Sequence, residues 1–249
     1  MSEFDREHDV DAEPIHEVLI QYPTLDSLQA RLGEIFGERD RIYFDERYAR
    51  IQLFENGVAD LFDGLRRSQR AEDFEVPCAR VVARIFCIAN SFEYLPVSNG
   101  MMEKFPVEGC AYCGTSPCIC ADNRGEVHLA TPNAFQQNWN LRQWQLHLDN
   151  LYGEPNRAKG IWFATTRLAV ETNELVSAED SIRHMTIEEA KNTYTHELAD
   201  SLAWTIAIAN ILGVDLQKAT EDRFGNGCNN CGSVPCRCSR HNMQQVKFG

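Results

Sequence analysis

The sequence predicts an all-α fold that consists of two tandem helical modules. Apolar residues recur at helical spacing in several segments of the 249-residue chain, and few segments show the alternation that strands require. A four-cysteine motif occurs twice, 118 residues apart, at residues 110–120 and 228–238. A motif repeated at this distance indicates two copies of one module of roughly 100 residues.

The helices of the two modules correspond in pairs. The first helix of each module shows an apolar pattern that ends before a glycine, Gly37 in one module and Gly153 in the other. A short fourth helix is expected before each cysteine motif. The other helices are predicted at residues 47–65 and 160–177 (second helix) and at 78–92 and 187–212 (third helix).

Composition divides the chain into five segments. The N-terminal residues are acidic and lack periodicity, which predicts a disordered tail, and a polar segment rich in Gly, Pro and Asn predicts a linker between the modules. The predicted boundaries are 1–22 for the tail, 23–122 for the first module, 123–139 for the linker, 140–240 for the second module and 241–249 for a C-terminal tail.

The two cysteine motifs predict two structural zinc sites. Each motif has the pattern C-x2-C-G-x2-P-C-x-C, in which Gly114 or Gly232 follows the second cysteine and suits a left-handed turn. Four thiolates form the closed shell of a structural zinc site; disulfides and iron are the alternatives. The predicted ligands are Cys110, Cys113, Cys118 and Cys120 in the first motif and Cys228, Cys231, Cys236 and Cys238 in the second. Cys78 and Cys87 lie in an apolar stretch outside the motifs and are expected to be buried thiols.

Charge and hydropathy exclude several classes of partner. The formal net charge is −13, so a nucleic-acid partner is disfavoured, although a bound cation could still attract a small phosphate ligand. The longest apolar segment, residues 202–214, contains Asn210 and Gly213 and is too short to cross a bilayer. The first residues have no apolar core typical of a signal peptide, so a cytoplasmic location is expected.

Two pairs of acidic residues in the second module form the candidate site. Glu171 and Glu174 lie on the second helix, Glu197 and Asp200 lie on the third, and residues three apart share one helix face. Apolar residues flank both pairs, which indicates that the pairs lie inside a bundle. Buried carboxylates need a partner, so a hard divalent cation is expected between the two helices.

The first module lacks most of these acids. Aligned with the second module, it retains an acid only at Glu55, and the other three positions are Val58, Pro77 and Arg80. A cation would be repelled by Arg80, so the first module is interpreted as a degenerate copy.

The acidic pairs and the sequence that follows them resemble the MazG-like nucleotide pyrophosphohydrolases of the all-α NTP pyrophosphatase superfamily. The resemblance covers most of residues 140–225; it includes the E-x-x-E and E-x-x-D pairs, the apolar helix, Gly213 and the dipeptide Arg223-Phe224. Residues 23–109 match only as a diverged copy, and the cysteine motifs are not part of the family's simplest pattern. The resemblance implies a bundle that binds Mg²⁺ or Mn²⁺ through Glu171, Glu174, Glu197 and Asp200. It also implies that a nucleoside triphosphate is cleaved to a monophosphate and pyrophosphate, with the first module replacing a partner subunit.

Further residues near the acidic pairs are candidate substrate contacts. Arg167 and Lys159, together with Arg157, could bind phosphate, but an ion pair between Arg167 and Glu171 and solvated side chains are the alternatives. Trp204 could stack on a base or pack in the core. Asn210 could recognise a base or be a satisfied buried amide. Among the acids, Glu174 is the candidate general base.

The sequence therefore favours a Mg²⁺-dependent nucleoside triphosphate pyrophosphohydrolase. A non-catalytic nucleotide sensor or assembly protein is the first alternative, because a degenerate copy is present. A zinc-knuckle adaptor is the second alternative; the apolar residues around the acidic pairs count against it. The expected assembly is a pseudo-dimer within one chain, which could itself form a homodimer.

Overall fold

A computed structural model describes residues 22–68, 70–92, 95–120 and 135–239. Within these ranges the protein is all-helical, with eight α-helices, three short 3₁₀ helices and no strand, which confirms the predicted class. Residues 1–21, 240–249 and most of the predicted linker lie outside the described ranges. The helices are α1 (Leu25–Tyr43), α2 (Arg47–Leu65), α3 (Glu75–Ala89), α4 (Val97–Lys104), α5 (Leu141–Lys159), α6 (Ile161–Ser181), α7 (Ile187–Leu212) and α8 (Leu216–Phe224).

Local sequence explains where several helices begin and end. Helix α2 has the predicted bounds, and so does α7, which begins with a capping box between Thr186 and Glu189 and ends at Gly213 in a left-handed conformation. Helix α3 begins three residues before the prediction and ends at Ala89, and α6 extends four residues beyond its predicted end.

The predicted ends of the first helices were wrong, because α1 continues through Gly37 and α5 continues through Gly153. An interior glycine costs a helix only about 1 kcal/mol, which the apolar contacts of these helices outweigh. Gly153 has a local role: a Cβ atom there would lie 2.2 Å from a carboxylate oxygen of Asp149, which forms an ion pair with Arg157.

The two halves of the chain share one core by exchanging their fourth helices. We call α1–α4 with residues 110–120 the first half, and α5–α8 with residues 228–238 the second half. Helix α4 packs against α7, and α8 packs against α3. At Gly100 on α4 the two helices are so close that a Cβ atom would lie 2.4 Å from the carbonyl oxygen of Thr195.

The cysteine clusters also dock on the opposite half. The Cys118 amide donates a hydrogen bond to the Leu151 carbonyl on α5 (2.8 Å), and the Cys236 amide donates to the Ile35 carbonyl on α1 (2.7 Å). The Leu151 carbonyl is available because Pro155, four residues later, has no N–H to donate. Each cysteine cluster thus contacts the first helix of the other half.

The point where the halves meet is marked by two equivalent residues. Thr24 caps α1, Asn140 caps α5, and the two form an isolated antiparallel bridge, with the Leu25 amide donating to the Trp139 carbonyl at 2.9 Å. Both helices are 19 residues long. The first helices of the two halves therefore begin at paired cap residues and have the same length.

The structure corrects the alignment of the second helices. Three residues connect α1 to α2, but only Gly160 connects α5 to α6, so the correspondence shifts by two residues. The order of buried positions then matches along α2 and α6, and Gly57 is aligned with the buried Glu171. By the same spacing, Asp60 corresponds to Glu174. Glu55, which was aligned with Glu171, is exposed.

No single described helix is long and apolar enough to cross a membrane. Helices α7 and α8 meet that test only when taken together, and their axes are bent by 106°.

Candidate metal centre and adjoining cavity

Three of the four predicted acids converge between α6 and α7. One carboxylate oxygen each from Glu171, Glu174 and Glu197 lies within 4.8 Å of the other two. The helices run antiparallel, since Tyr194 donates a hydrogen bond to Glu179 near their connection and the acids meet farther along. This convergence follows from the i,i+3 spacing on two packed helices.

The fourth predicted acid, Asp200, forms an ion pair with Lys104 at the end of α4. Lys104 also donates to the carbonyl of His196 at 3.4 Å, and His196 contacts Glu103 at 2.9 Å. The Lys104 side chain is 28% exposed and that of Asp200 is 25% exposed, so the pair is largely shielded from solvent. Burial raises the pKa of Asp200, and Lys104 opposes that rise. A residue of the first half thus neutralises an acid of the second half.

Burial and mutual repulsion favour the protonated form of carboxyl groups in the acidic cluster. Glu171 is 2% exposed, and burial, a hydrogen bond with Glu174 and the charge of Asp200 raise its pKa to about 8. Burial and the charge of Glu174 raise the pKa of Glu197 to about 7. Carboxylates in this environment are ionised most easily when a cation neutralises them. The cluster therefore has the donor chemistry and the electrostatic need for a hard divalent cation.

A cavity of about 590 Å³ adjoins the cluster. Helices α4, α5, α6 and α7 enclose it together with the first cysteine cluster, and Glu171, Glu174 and Asp200 form its acidic end. Its volume lies in the range of small-molecule sites. The site thus combines a cation-binding end with space for a ligand.

Both predicted cationic substrate contacts line this cavity. Arg167 donates to Glu171 at 3.2 Å, so the predicted alternative of an i,i+4 ion pair is present, yet the arginine remains 37% exposed. Lys159 lies 4.9 Å above the ring of Phe163. Arg157, also on the wall, pairs with Asp149 at 2.6 Å. Positive charge therefore surrounds the approach to the acidic end.

The other two predicted contacts, Trp204 and Asn210, also line the cavity. Trp204 is partly buried, packs edge-on against Phe163 with ring centroids 5.8 Å apart, and lies 5.6 Å from the Arg167 guanidinium. Asn210 donates to the Gln145 carbonyl at 3.2 Å, which is the interaction of a satisfied buried amide. Trp204 therefore offers an aromatic wall, whereas Asn210 already has a structural partner.

Several cavity residues were missed from the sequence because the first half supplies them. Lys104, Phe105 and Tyr112 belong to α4 and the first cysteine cluster, which dock across the molecule. Tyr152 on α5 was assigned only to the apolar pattern; its ring packs edge-on against Phe105 at 6.2 Å and also lines the cavity. Nothing in the local sequence around α4 indicates that it faces α7.

The eight predicted zinc ligands form two clusters of four that could each hold a metal ion. Sulfur atoms of Cys110 and Cys120, and those of Cys228 and Cys238, are 3.8 Å apart. Tetrahedral zinc with bonds of about 2.3 Å places sulfurs about 3.8 Å apart, whereas a disulfide places them about 2.05 Å apart. All ten cysteines are free thiols in the structure.

The backbone of the two clusters matches as predicted. Gly114 and Gly232 have φ values of 69° and 66°, in the left-handed region. Cys78 and Cys87 are buried and belong to neither cluster, and burial raises the pKa of Cys78 to about 12.

Comparison of the chain with models of known families, with curated proteins and with solved structures yields no match.

Proposed function

We propose that the protein is a Mg²⁺-dependent nucleoside triphosphate pyrophosphohydrolase. The observation that carries the proposal is the convergence of Glu171, Glu174 and Glu197 at the end of a cavity that also presents Arg167 and Lys159. A nucleoside triphosphate combines the features that this cavity complements, namely a polyanionic chain that binds metal and an aromatic base.

The three converging glutamates are the residues that would hold Mg²⁺ or Mn²⁺. Their oxygen donors are those that hard cations prefer, and burial raises the pKa of both Glu171 and Glu197, which a bound cation would offset. When bound, the ion would screen the phosphate charge and acidify a water molecule. Two structural zinc ions in the cysteine clusters would complete the metal complement.

The remaining side chains suit a nucleotide in one orientation. Arg167 and Lys159 would position the phosphates near the acids, since guanidinium and ammonium groups donate strong hydrogen bonds to phosphate oxygens. Trp204 would stack on the base farther along the wall. Glu174 is exposed, in contrast to the buried Glu171, and a carboxylate oxygen of Glu174 that is not bound to the ion would accept a proton from water.

The same features support membership of the MazG-like pyrophosphohydrolases as part of this proposal. The acidic pairs lie on an antiparallel helix pair within an all-α bundle, and a second half packs against them. In this proposal the first half replaces a partner subunit. Its contribution is Lys104 and the cavity wall formed by the first cysteine cluster.

One observation favours the alternative of a nucleotide sensor without turnover. Lys104 forms an ion pair with Asp200, which leaves three carboxylates for a cation. Three ligands suit one metal ion better than the two-ion clamp found in many phosphate-cleaving sites. A sensor would keep nucleotide binding but release no pyrophosphate.

Pyrophosphate release from a panel of NTPs and dNTPs with Mg²⁺ tests the proposal. We expect release by the wild type and a loss of at least about 100-fold in Glu174→Gln, the contribution typical of a general base. Glu188→Gln, which changes an exposed acid at the start of α7, is the matched control and should keep full activity. Release no faster than that of Glu174→Gln would remove the enzyme proposal. Thermal stabilisation by a nucleotide without release would support the sensor.

A further inference from the structure

A second cavity occupies the equivalent position in the first half. It has a volume of about 320 Å³ and is enclosed by α1, α2, α3, α8 and the second cysteine cluster. The first cavity is enclosed by the corresponding elements of the other half. The two cavities are therefore counterparts, and each change between them can be assigned to a position.

The acidic end of the first cavity has become basic in the second. Arg80 on α3 takes the place of Asp200 on α7, and Gly57 takes the place of Glu171. Only Asp60 keeps an acid where the first cavity has one. These residues therefore offer no ligand set for a divalent cation, and Arg80 puts a positive charge at the position that corresponds to Asp200.

The ion pair of the first cavity is replaced by two like charges. Arg223 at the end of α8 takes the place of Lys104 and faces Arg80 instead of an acid. Burial lowers the pKa of Arg223 to about 10, and repulsion from Arg80 and Arg84 adds to that effect. The Arg223 Nε atom is buried without a hydrogen-bond partner among the described residues.

Arg84 adds a third cation to the same wall, in the place of Trp204. Burial lowers its pKa, and the charge of Arg39 lowers it further, whereas the charges of Cys87 and Asp40 oppose that change. Within the described part of the chain, neither the Arg80 nor the Arg84 side chain has a hydrogen bond or an ion pair. Three arginines thus converge with no anion of the protein bound to any of them.

Nearby acids do not supply the missing partner. Arg39, the fourth arginine of the cavity, forms an ion pair with the adjacent Asp40. Asp63 lies at the rim and pairs with Arg66 and Arg67, which are exposed. Asp60 is exposed and makes no ion pair among the described residues. The cavity is left with more positive than negative side chains.

We propose that this arginine-lined cavity binds the phosphate groups of a small polyphosphate anion directly, without a metal ion. Guanidinium groups present a planar set of donors that matches phosphate oxygens, and binding would relieve the repulsion among Arg80, Arg84 and Arg223. The volume, about half that of the first cavity, suits a diphosphate group. This site does not depend on the proposed enzymatic activity.

The competing explanation is that the arginines balance the charge of a zinc site. Four thiolates around Zn²⁺ carry a net charge of −2, and Cys228 of the second cluster lines the same cavity. That explanation accounts for Arg223, because the charge of Cys228 opposes the fall in the Arg223 pKa. It does not account for Arg84, on which no thiolate of the second cluster acts. The two explanations predict different effects on zinc content.

Isothermal titration with inorganic pyrophosphate tests the site, using the full chain in buffer free of Mg²⁺ and without chelator, so that zinc is retained. We expect saturable binding by the wild type and a loss of at least tenfold in affinity in both Arg80→Gln and Arg84→Gln. Arg70→Gln, an exposed arginine of the same half that lies outside the cavity, should bind like the wild type. Arg167→Gln, which removes a proposed phosphate contact of the first cavity, should also bind normally, which separates this site from the proposed active site.

Competition and metal analysis complete the test. A nucleoside triphosphate should displace pyrophosphate, and a nucleoside without phosphate should not. Absence of saturable binding by the wild type, or an affinity of Arg80→Gln and Arg84→Gln equal to that of the wild type, would overturn the proposal. Loss of zinc from Arg84→Gln with unchanged pyrophosphate affinity would overturn it in favour of charge balancing. Thermal unfolding curves of each variant verify that a loss of binding is not a loss of fold.

Discussion

Replacing Glu171 by glutamine should stabilise the metal-free protein at alkaline pH. The pKa of Glu171 rises from an ordinary value of 4.5 to about 8 in the folded protein. Below pH 4.5 the residue is protonated in both the folded and the unfolded chain, so it does not affect the pH dependence of stability. Between pH 4.5 and 8 the unfolded chain releases the proton first, and the free energy of unfolding falls as pH rises.

The size of this effect follows from the pKa values. At about 1.4 kcal/mol for each pKa unit, a rise of about 3.5 corresponds to at most about 5 kcal/mol above pH 8. Glutamine fills the same space and cannot ionise. The quantity to compare is the free energy of unfolding of Glu171→Gln minus that of the wild type. We expect this difference to be larger at pH 8.5 than at pH 5.5 by at least about 1 kcal/mol.

Urea unfolding followed by circular dichroism measures this difference, in buffer without Mg²⁺ and without chelator. Added Mg²⁺ should then reduce this difference at pH 8.5, because a ligand present at 100 times its dissociation constant stabilises by about 2.7 kcal/mol and the variant lacks one donor. Glu188→Gln should show neither effect. A difference between Glu171→Gln and the wild type that stays constant from pH 5.5 to 8.5 would refute the reasoning about the cluster.

Three further predictions concern the packing of α4, the ion pair between the halves and the second cysteine cluster. Gly100→Ala should lower the melting temperature because its Cβ would meet the α7 backbone, whereas Gly37→Ala, with no atom within 4 Å, should raise the free energy of unfolding by about 1 kcal/mol. Equal melting temperatures would contradict the close packing of α4 on α7. Lys104→Met should strengthen Mg²⁺ binding at least about threefold in calorimetry, because the substitution frees Asp200 and removes a nearby positive charge. Weaker binding would contradict the role of Lys104 as the partner that neutralises Asp200. Cys236→Ser should reduce bound zinc from two ions to one per chain, measured by mass spectrometry, and an unchanged content would exclude that ligand set.

The sequence predicted those features that depend on neighbours along one helix. The bounds of α2 and α7, the two cysteine clusters and the facing acids of α6 and α7 all follow from spacing within a few turns. Lys159 and Arg167 line the cavity for the same reason, since both belong to the helices that carry or precede the acids. Local periodicity is sufficient where the partner helix is the next one along the chain.

Contacts between the halves could not be predicted in this way. Helices α4 and α8 are eight and nine residues long, and an apolar face of that length packs equally well on either half. Lys104 was therefore not recognised as the partner of Asp200. The alignment of Glu55 with Glu171 failed for a related reason, because a connection two residues longer before α2 leaves no trace in the helical pattern itself.

The exchange of fourth helices explains why a half without its acids remains structurally necessary. Lys104 neutralises Asp200, and the first cysteine cluster closes the cavity beside the acids, so the second half alone would have an open site with an uncompensated, largely buried carboxylate. The dependence is reciprocal, since α8 and the second cluster cover α3 and α1. Each half is therefore constrained by the surface that it supplies to the other, whereas its own cavity is free to change chemistry. That freedom is sufficient to account for an arginine-lined cavity in one half and an acid-lined cavity in the other, on the same arrangement of helices.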